Sequence, residues 1–468
     1  MTHFSGRVVV VGFGTIGQCA LPLLLDRLKL PASAVTVVDR DSEADFRGGP
    51  ETGEVAYHQM TLTPDTLDAL TDLVGPGDLV ANLSVGISSL DLAAWCQARG
   101  ALYIDTAIEP WEGFVENASV PVAERTEYAF HQAAREAGAA WPEGSPTALF
   151  THGANPGLVS HFAKAGLMDV AERMGLETPV PADRRGWAEL AARTGTKVIH
   201  ISERDTQIAE YAKRPWEFVN TWSIDGFIEE AMMPVELGWG THERRMPADA
   251  REHRSGPRNT IYLEVPAATY YLYSWVPGHG QILGLALPHS ETVTLSDLLT
   301  LTDESGTVTY RPTVGFVYLP CDDALTSLHE VLMSGWQMPE RQRILTSEIV
   351  EGADELGTLL LGHGLGGWWH GSRLDIEQAR RIVPHSNPTA LQVAAGVVSG
   401  AMWVVRNPAE GFCEPEDLPF DEVLADARPY LGDVFGVGTD WTPLDSRGGL
   451  YSAPPAPDAP WQFANFRI

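Results

Sequence analysis

Val8 to Val11 reads Val-Val-Val-Val and runs directly into Gly12-Phe13-Gly14-Thr15-Ile16-Gly17, after which Gln18 to Leu28 carries the apolar spacing of a helix. A β-branched run, a G-x-G-x-x-G turn and a helix in that order are what a dinucleotide-binding unit requires. Gly12 permits the tight turn, Gly14 lets a pyrophosphate reach the backbone, and Gly17 lets helix and strand approach closely. The anion then sits at the helix N-terminus around Thr15 and Ile16. Asp39 ends the next strand-like run, 22 residues beyond Gly17. A carboxylate there accepts hydrogen bonds from the adenine-ribose hydroxyls, which favours NAD over NADP. Arg40 beside it is the residue that could instead accommodate a 2′-phosphate.

The βα rhythm continues through Leu79 to Ser84, the helical stretch Ser88 to Gly100, Ala101 to Thr106, and a further apolar run ending at Ala154. This predicts an α/β fold with a Rossmann-type doubly wound parallel sheet over residues 1–150. From about Leu158 the rhythm is lost and helical stretches mix with runs such as KVIHIS, TIYLEV and VTYRP. Residues 151–384 are therefore expected to form a second, mixed α+β domain for substrate and dimerisation. The helical run within 385–425 is expected to complete the first domain, and 426–468, Pro- and Ala-rich from Gly448, to pack as a C-terminal strap.

The 468 residues hold 32 Lys plus Arg against 62 Asp plus Glu, a formal net charge of −30. Such a field repels phosphate backbones and anionic lipid, so neither nucleic acid nor membrane is expected as a partner, and it attracts cationic small molecules. The four cysteines are scattered without C-x-x-C spacing, as expected of free thiols in a reducing compartment. No signal sequence precedes the first strand and no apolar span of membrane length is evident, so a cytoplasmic location is expected.

Polar residues gather at strand ends, where an α/β sheet binds its ligands: Asn82 and Ser84, Asp105 and Thr106, Glu109 with Trp111, and Asn155. Acids adjoin aromatics in ISERD (201–205), NTWS (220–223), FIEE (227–230) and GADEL (352–356). Carboxylates beside an indole suit a polyamine, since each ammonium needs an anionic partner and an iminium gains from a π face. No H-E-x-x-H or C-x-x-C pattern accompanies His363 and His370, so no metal site is expected.

With these segments in view, the chain resembles the bacterial homospermidine synthase family, within the saccharopine dehydrogenase-like group. The likeness runs from VVGFGTIG through NLSVGISSLD, LYIDTAIEPW, GANPGLVS, ISERDTQ, VNTWSIDGF, ADELGTLLLGH and GTDWTP to PWQFANF. It implies an enzyme using NAD as a prosthetic group, and commonly a homodimer. The reaction implied joins two putrescine molecules into homospermidine with loss of ammonia, through oxidation, imine formation and re-reduction. Carried over by motif, the amine-binding acids fall on Glu203, Glu230 and Asp354 and the cation-stabilising indole on Trp222. Asn155 and His289 match further polar positions of the pocket, and Glu109 to Trp111 the rim near the nicotinamide. Gly86 departs from the pattern, standing where an Asp is expected.

Two other readings follow from the same residues. A one-way dehydrogenase of the saccharopine or carboxynorspermidine type would need cations for a substrate carboxylate, for which Arg204, Arg244 and Arg245 are available. A non-catalytic NAD-binding protein would account for Gly86 as lost chemistry.

Overall fold

A computed structural model describes residues 4–42, 53–177, 179–445, 447 and 453–468. Parts of the expected first unit (1–3 and 43–52), of the second (178) and of the strap (446 and 448–452, where its Pro- and Ala-rich stretch begins) lie outside the described residues.

The Val run forms β1 (Val8–Val11), buried on both faces as a central parallel strand must be. It is followed by α1 (Thr15–Leu28), β2 (Val35–Asp39), β3 (Ala56–Gln59), β4 (Leu79–Asn82), α2 (Ser89–Arg99), β5 (Leu102–Asp105), α3 (Glu127–Ala139) and β6 (Ala148–Leu149). All pair in parallel in the order β3-β2-β1-β4-β5-β6, with Phe412–Cys413 added beyond β6. This is the dinucleotide-binding order, with its topological switch between β1 and β4.

Helix Pro388–Arg406 packs against α1 and β5. Its start is set by Asn387, whose side-chain oxygen accepts the Ala390 N–H, and by Pro388 in the first turn. Gly396 lets it lie tight on the Gly153 turn, because a Cβ there would sit 2.0 Å from the Gly153 oxygen. This helix corrects the expectation that no long apolar span exists: its 19 residues are apolar enough to cross a membrane, yet 89% of that span is buried inside the protein.

The second layer centres on a ten-stranded mixed sheet. α4 (Leu158–Arg173) leads from the first sheet and packs on strands Ala353–His363 and Gly366–Asp375. β7 (Val198–Asp205) runs parallel to Thr313–Leu319 and antiparallel to Ala353–His363. The Gly-rich HGLGGWWH segment turns this last strand into Gly366–Asp375, and Asp433–Thr439 pairs with that hairpin. The region expected to be only a strap thus also supplies a strand to the sheet. Cys19, Cys96, Cys321 and Cys413 are all free and buried.

Candidate active site

The switch point opens into a cleft of about 410 Å³, lined by Gly12, Gly14, Thr15, Ile16, Asp39 and Ser84 among others. The three glycines divide the work as the motif requires. A Cβ on Gly12 would lie 2.6 Å from the Ser84 nitrogen, and one on Gly17 would lie 2.7 Å from the Gly12 oxygen. A Cβ on Gly14 would meet nothing within 4 Å, so it alone of the three faces free space, where a pyrophosphate would come up to the backbone. The Asp39 carboxylate accepts N–H bonds from Phe13 and, at 2.8 Å, from Asp41, which fixes it at the strand end. These residues fit a dinucleotide: backbone amides at the α1 start for the phosphates and Asp39 for a ribose.

Asn82 and Thr106, expected at the rim, do not line this cleft. Asn82 lies beneath it, donating to the Tyr103 hydroxyl at 3.3 Å while its oxygen accepts the Ser84 hydroxyl at 2.5 Å; it shapes the loop. Thr106 packs against the Gly153 turn. The far wall belongs to the second layer, through Ser223, Ile224, Asp225 and Gln342 to Ile344. Arg40 reaches across to it, 3.1 Å from Asp225, with Glu112 at 4.0 Å.

Beyond that wall the acids converge. Glu203 and Asp205 alternate near the carboxyl end of β7, so both point to one face. In register, Asp354 stands opposite Asp205, and Tyr318 beside Glu203. Asn155 donates to Glu203 at 2.7 Å, Thr221 to Asp205 at 2.7 Å and Thr389 to Asp354 at 2.5 Å. Asp354 is buried against Glu203, and the two carboxyls share a side-chain hydrogen bond, a contact that requires one of them to carry a proton. The Trp222 indole N–H donates to the Tyr318 hydroxyl at 3.2 Å, which holds the ring beside Glu203.

A second group faces the first. Glu229 and Glu230 lie on helix Ile224–Met232, which starts from the cleft wall and is capped by Ser223. Glu109, Glu127 and the His289–Glu291 pair, 2.5 Å apart, share their electrostatic surroundings. Glu291 also accepts the Gly157 N–H at 2.9 Å, tying this pair to the Asn155 turn. Burial first, and then mutual repulsion, raises the acids: Glu203, Glu230 and Glu109 to about 8, Glu229 to about 9, and Asp354 well above its usual range. Burial opposes the charged form of His289, but Glu291, Glu230 and Glu127 overcome it and lift the imidazole to about 9.

Trp111 does not join this cluster, since its indole N–H donates to Asp91 at 2.5 Å at the start of α2. Gly86 sits at φ +75°, where a Cβ would come within 3.0 Å of the Glu112 Cβ, and its N–H points to Glu109 at 3.4 Å. The loop therefore offers Glu109 a backbone donor and has little room for a side chain. Arg204 lies on the opposite face of β7, held by the Pro320 carbonyl at 2.7 Å and by Asp322. Arg244 is paired with Asp458. Neither arginine serves the pocket. The sequence reading did not single out Asp205, Glu127, Glu291 or Tyr318 as site residues. The alternation in SERD and the HSE spacing after Pro288 pointed toward Asp205 and Glu291; nothing local marked Glu127 or Tyr318.

Comparison with known proteins places these features in a family. The saccharopine dehydrogenase NADP binding domain family matches residues 8–149, and the saccharopine dehydrogenase C-terminal domain family matches 153–438. Homospermidine synthase of Blastochloris viridis is 43% identical, over 100% of this chain and 98% of its own. That of Mesorhizobium japonicum is 41% identical, over 100% and 97%. The crystal structure of homospermidine synthase from Legionella pneumophila in complex with NAD superposes with a TM-score of 0.91 at 40% identity, covering 99% of this chain and 98% of that one. Saccharopine dehydrogenase from Saccharomyces cerevisiae, at 12% identity and a TM-score of 0.53, shares the fold.

Proposed function

The chain belongs to the homospermidine synthase family, within the saccharopine dehydrogenase group, and on that premise we propose that it condenses two putrescine molecules to homospermidine with release of ammonia. The observation that carries the reading is the cluster of Glu203 and Asp354, both buried, with half-buried Glu230 and Glu109 beside a dinucleotide cleft. Carboxylates packed this closely stay protonated unless a polycation balances them, and a diamine of matching reach replaces those protons with ammonium groups.

Gly12, Gly14, Thr15, Ile16, Ser84 and Asp39 would hold NAD, which supplies a hydride acceptor and returns the hydride at the end. Glu203, oriented by Asn155, and Asp354 anchor one ammonium; Glu230 and Glu109 receive the other end of the chain. Trp222 offers its π face to the cation that develops on oxidation. The His289–Glu291 pair and Glu230 are placed for proton transfer to and from the reacting nitrogen. Arg40, engaged by Asp225, leaves NAD rather than NADP as the dinucleotide. The acidic surface and the dimers common in this family support a cytoplasmic homodimer acting on a small cation, without nucleic acid or membrane.

Purified protein given putrescine alone, with no added NADH, should form homospermidine and ammonia in equal amounts. A requirement for stoichiometric external reductant would favour the one-way dehydrogenase instead, and bound NAD without product would favour the non-catalytic reading.

A further inference from the structure

Putrescine enters as a dication, but hydride leaves only a carbon that bears a neutral amine. A proton must therefore leave the donor ammonium first and be available again when ammonia departs. Behind the acid cluster lies a row of buried and half-buried groups to which the proposed reaction assigns no work. Glu127, His131 and Arg135 recur at every fourth residue of α3 and so stack along one face. Arg135 clasps Glu414 through two nitrogens, at 2.7 and 3.0 Å. Glu414 lies 2.8 Å from His131 Nδ1. Burial would raise this acid, but Arg135 and His131 hold it at about 2, a fixed anion that commits Nδ1 as a donor.

His131 is fully buried, and its Nε2 has no hydrogen-bond partner among the described residues. That nitrogen faces the Glu127 carboxylate at 3.8 Å. The same Glu127 oxygen accepts the Ser290 hydroxyl at 2.9 Å, one residue from His289. Glu127 is faced by His131 on its own helix, by His289, by Glu236 on strand Pro234–Gly238, and by Glu109, Glu229 and Glu230. His131 is faced by Glu414, Arg135, Glu127 and Asp105. The pair thus has one position, between Nε2 and the carboxylate, whose proton is not dictated by a fixed partner.

We propose that Glu127 and His131 are positioning residues that form the internal proton store of the reaction, Glu127 facing His289 across the pocket edge and held there by the Ser290 hydroxyl. This rests on the proposed function. The N–H bond of the donor ammonium breaks and the proton comes to rest on the Glu127–His131 pair. The freed lone pair then supports C–H cleavage, the hydride passing to the bound nicotinamide. The second diamine gives one proton to Glu230 and adds as the free amine, and that proton ends on the product nitrogen. The C–N bond to the first nitrogen breaks, the hydride returns from the nicotinamide to the carbon of the new imine, and the stored proton leaves with ammonia as ammonium. Two diamine dications therefore become a trication and ammonium, with no proton exchanged with bulk water.

The test mixes holoenzyme with putrescine in weak buffer and follows a pH-indicator dye together with nicotinamide absorbance. In the native protein, the protons that the diamine displaces from the acids appear on binding, and the reduction that follows should add no further acid. In Glu127→Gln and His131→Gln each reduction should release one proton in step, and its rate should rise with pH where the native rate is flat. Ser290→Ala, which removes the hydroxyl that holds Glu127 but no titrating group, should acidify likewise and serves if the other variants fold poorly. Equal acidification by the native protein and all variants would overturn the store. An absence of nicotinamide reduction by the native protein would overturn the proposed function and the store with it.

Discussion

Asp354 stands directly opposite Asp205 across two antiparallel strands, both carboxylates buried. Two charged carboxylates at facing positions would destabilise a sheet, and burial together with that repulsion pushes Asp354 well above its usual range. Replacing Asp354 by Asn should raise the melting temperature at pH 8 while lowering kcat/KM for putrescine about a hundredfold, near 3 kcal/mol. Calorimetry and steady-state kinetics on one preparation check both halves.

Stability should fall as pH rises. Glu203, Glu230 and Glu109 keep protons in the folded state up to about 8, well above their ordinary range. The folded protein thus binds more protons than the unfolded chain over that interval, and stability is lost as pH climbs through it. His289, raised to about 9, adds a contribution of the same sign, complete below the ordinary imidazole range and lost through 9. Melting curves from pH 5 to about 9 should slope downward, and putrescine should flatten the slope.

Gly12 and Gly14 should respond differently to alanine. At Gly12, with φ +87° and the Ser84 backbone in the way, the substitution should lower the melting temperature. At Gly14 the added methyl meets only the open cleft, so the fold should survive and the co-purifying nucleotide should be lost. Melting curves and nucleotide content of the two proteins separate these effects.

Trp222→Ala should reduce turnover about thirtyfold, or ~2 kcal/mol, with a smaller effect on putrescine affinity, because the indole faces a cation only after oxidation. Trp222→Phe should recover part of the rate. A purely structural indole, hydrogen-bonded to Tyr318, would instead change the melting temperature and leave kcat unchanged.

Asp225→Asn frees Arg40 from its partner across the cleft. A released guanidinium beside Asp39 can meet a 2′-phosphate, so the ratio of NADP to NAD affinity should rise about tenfold, measured by titration of nucleotide-depleted protein.

The nucleotide half of the site was legible because its chemistry is local: strand, glycine turn, helix and acid occupy one short stretch ending at Asp39. Of the acids, Glu203, Glu230 and Asp354 came from family motifs, and the fold explains why periodicity alone could not find them. Glu203 and Asp354 meet through strand pairing between distant segments. Glu230 arrives on a helix whose first turn walls the other ligand's cleft. Glu127 looks like an ordinary first-turn helix acid, and only the placement of Ser290 and His131 beside it shows otherwise. Asn82 and Trp111 show the converse, polar groups at strand ends that serve the scaffold.

The cleft has one wall from the parallel sheet and the other from helix Ile224–Met232 and strand Arg341–Ile344, bridged by Arg40 to Asp225. The pair is exposed and adds little to stability, but it spans the two walls between which a nucleotide would leave, so its opening bears on how fast a seated nucleotide escapes. For a carrier that lends its electrons and receives them back within a single visit, slow escape is a safeguard, since an exchange midway would abandon an oxidised amine to water.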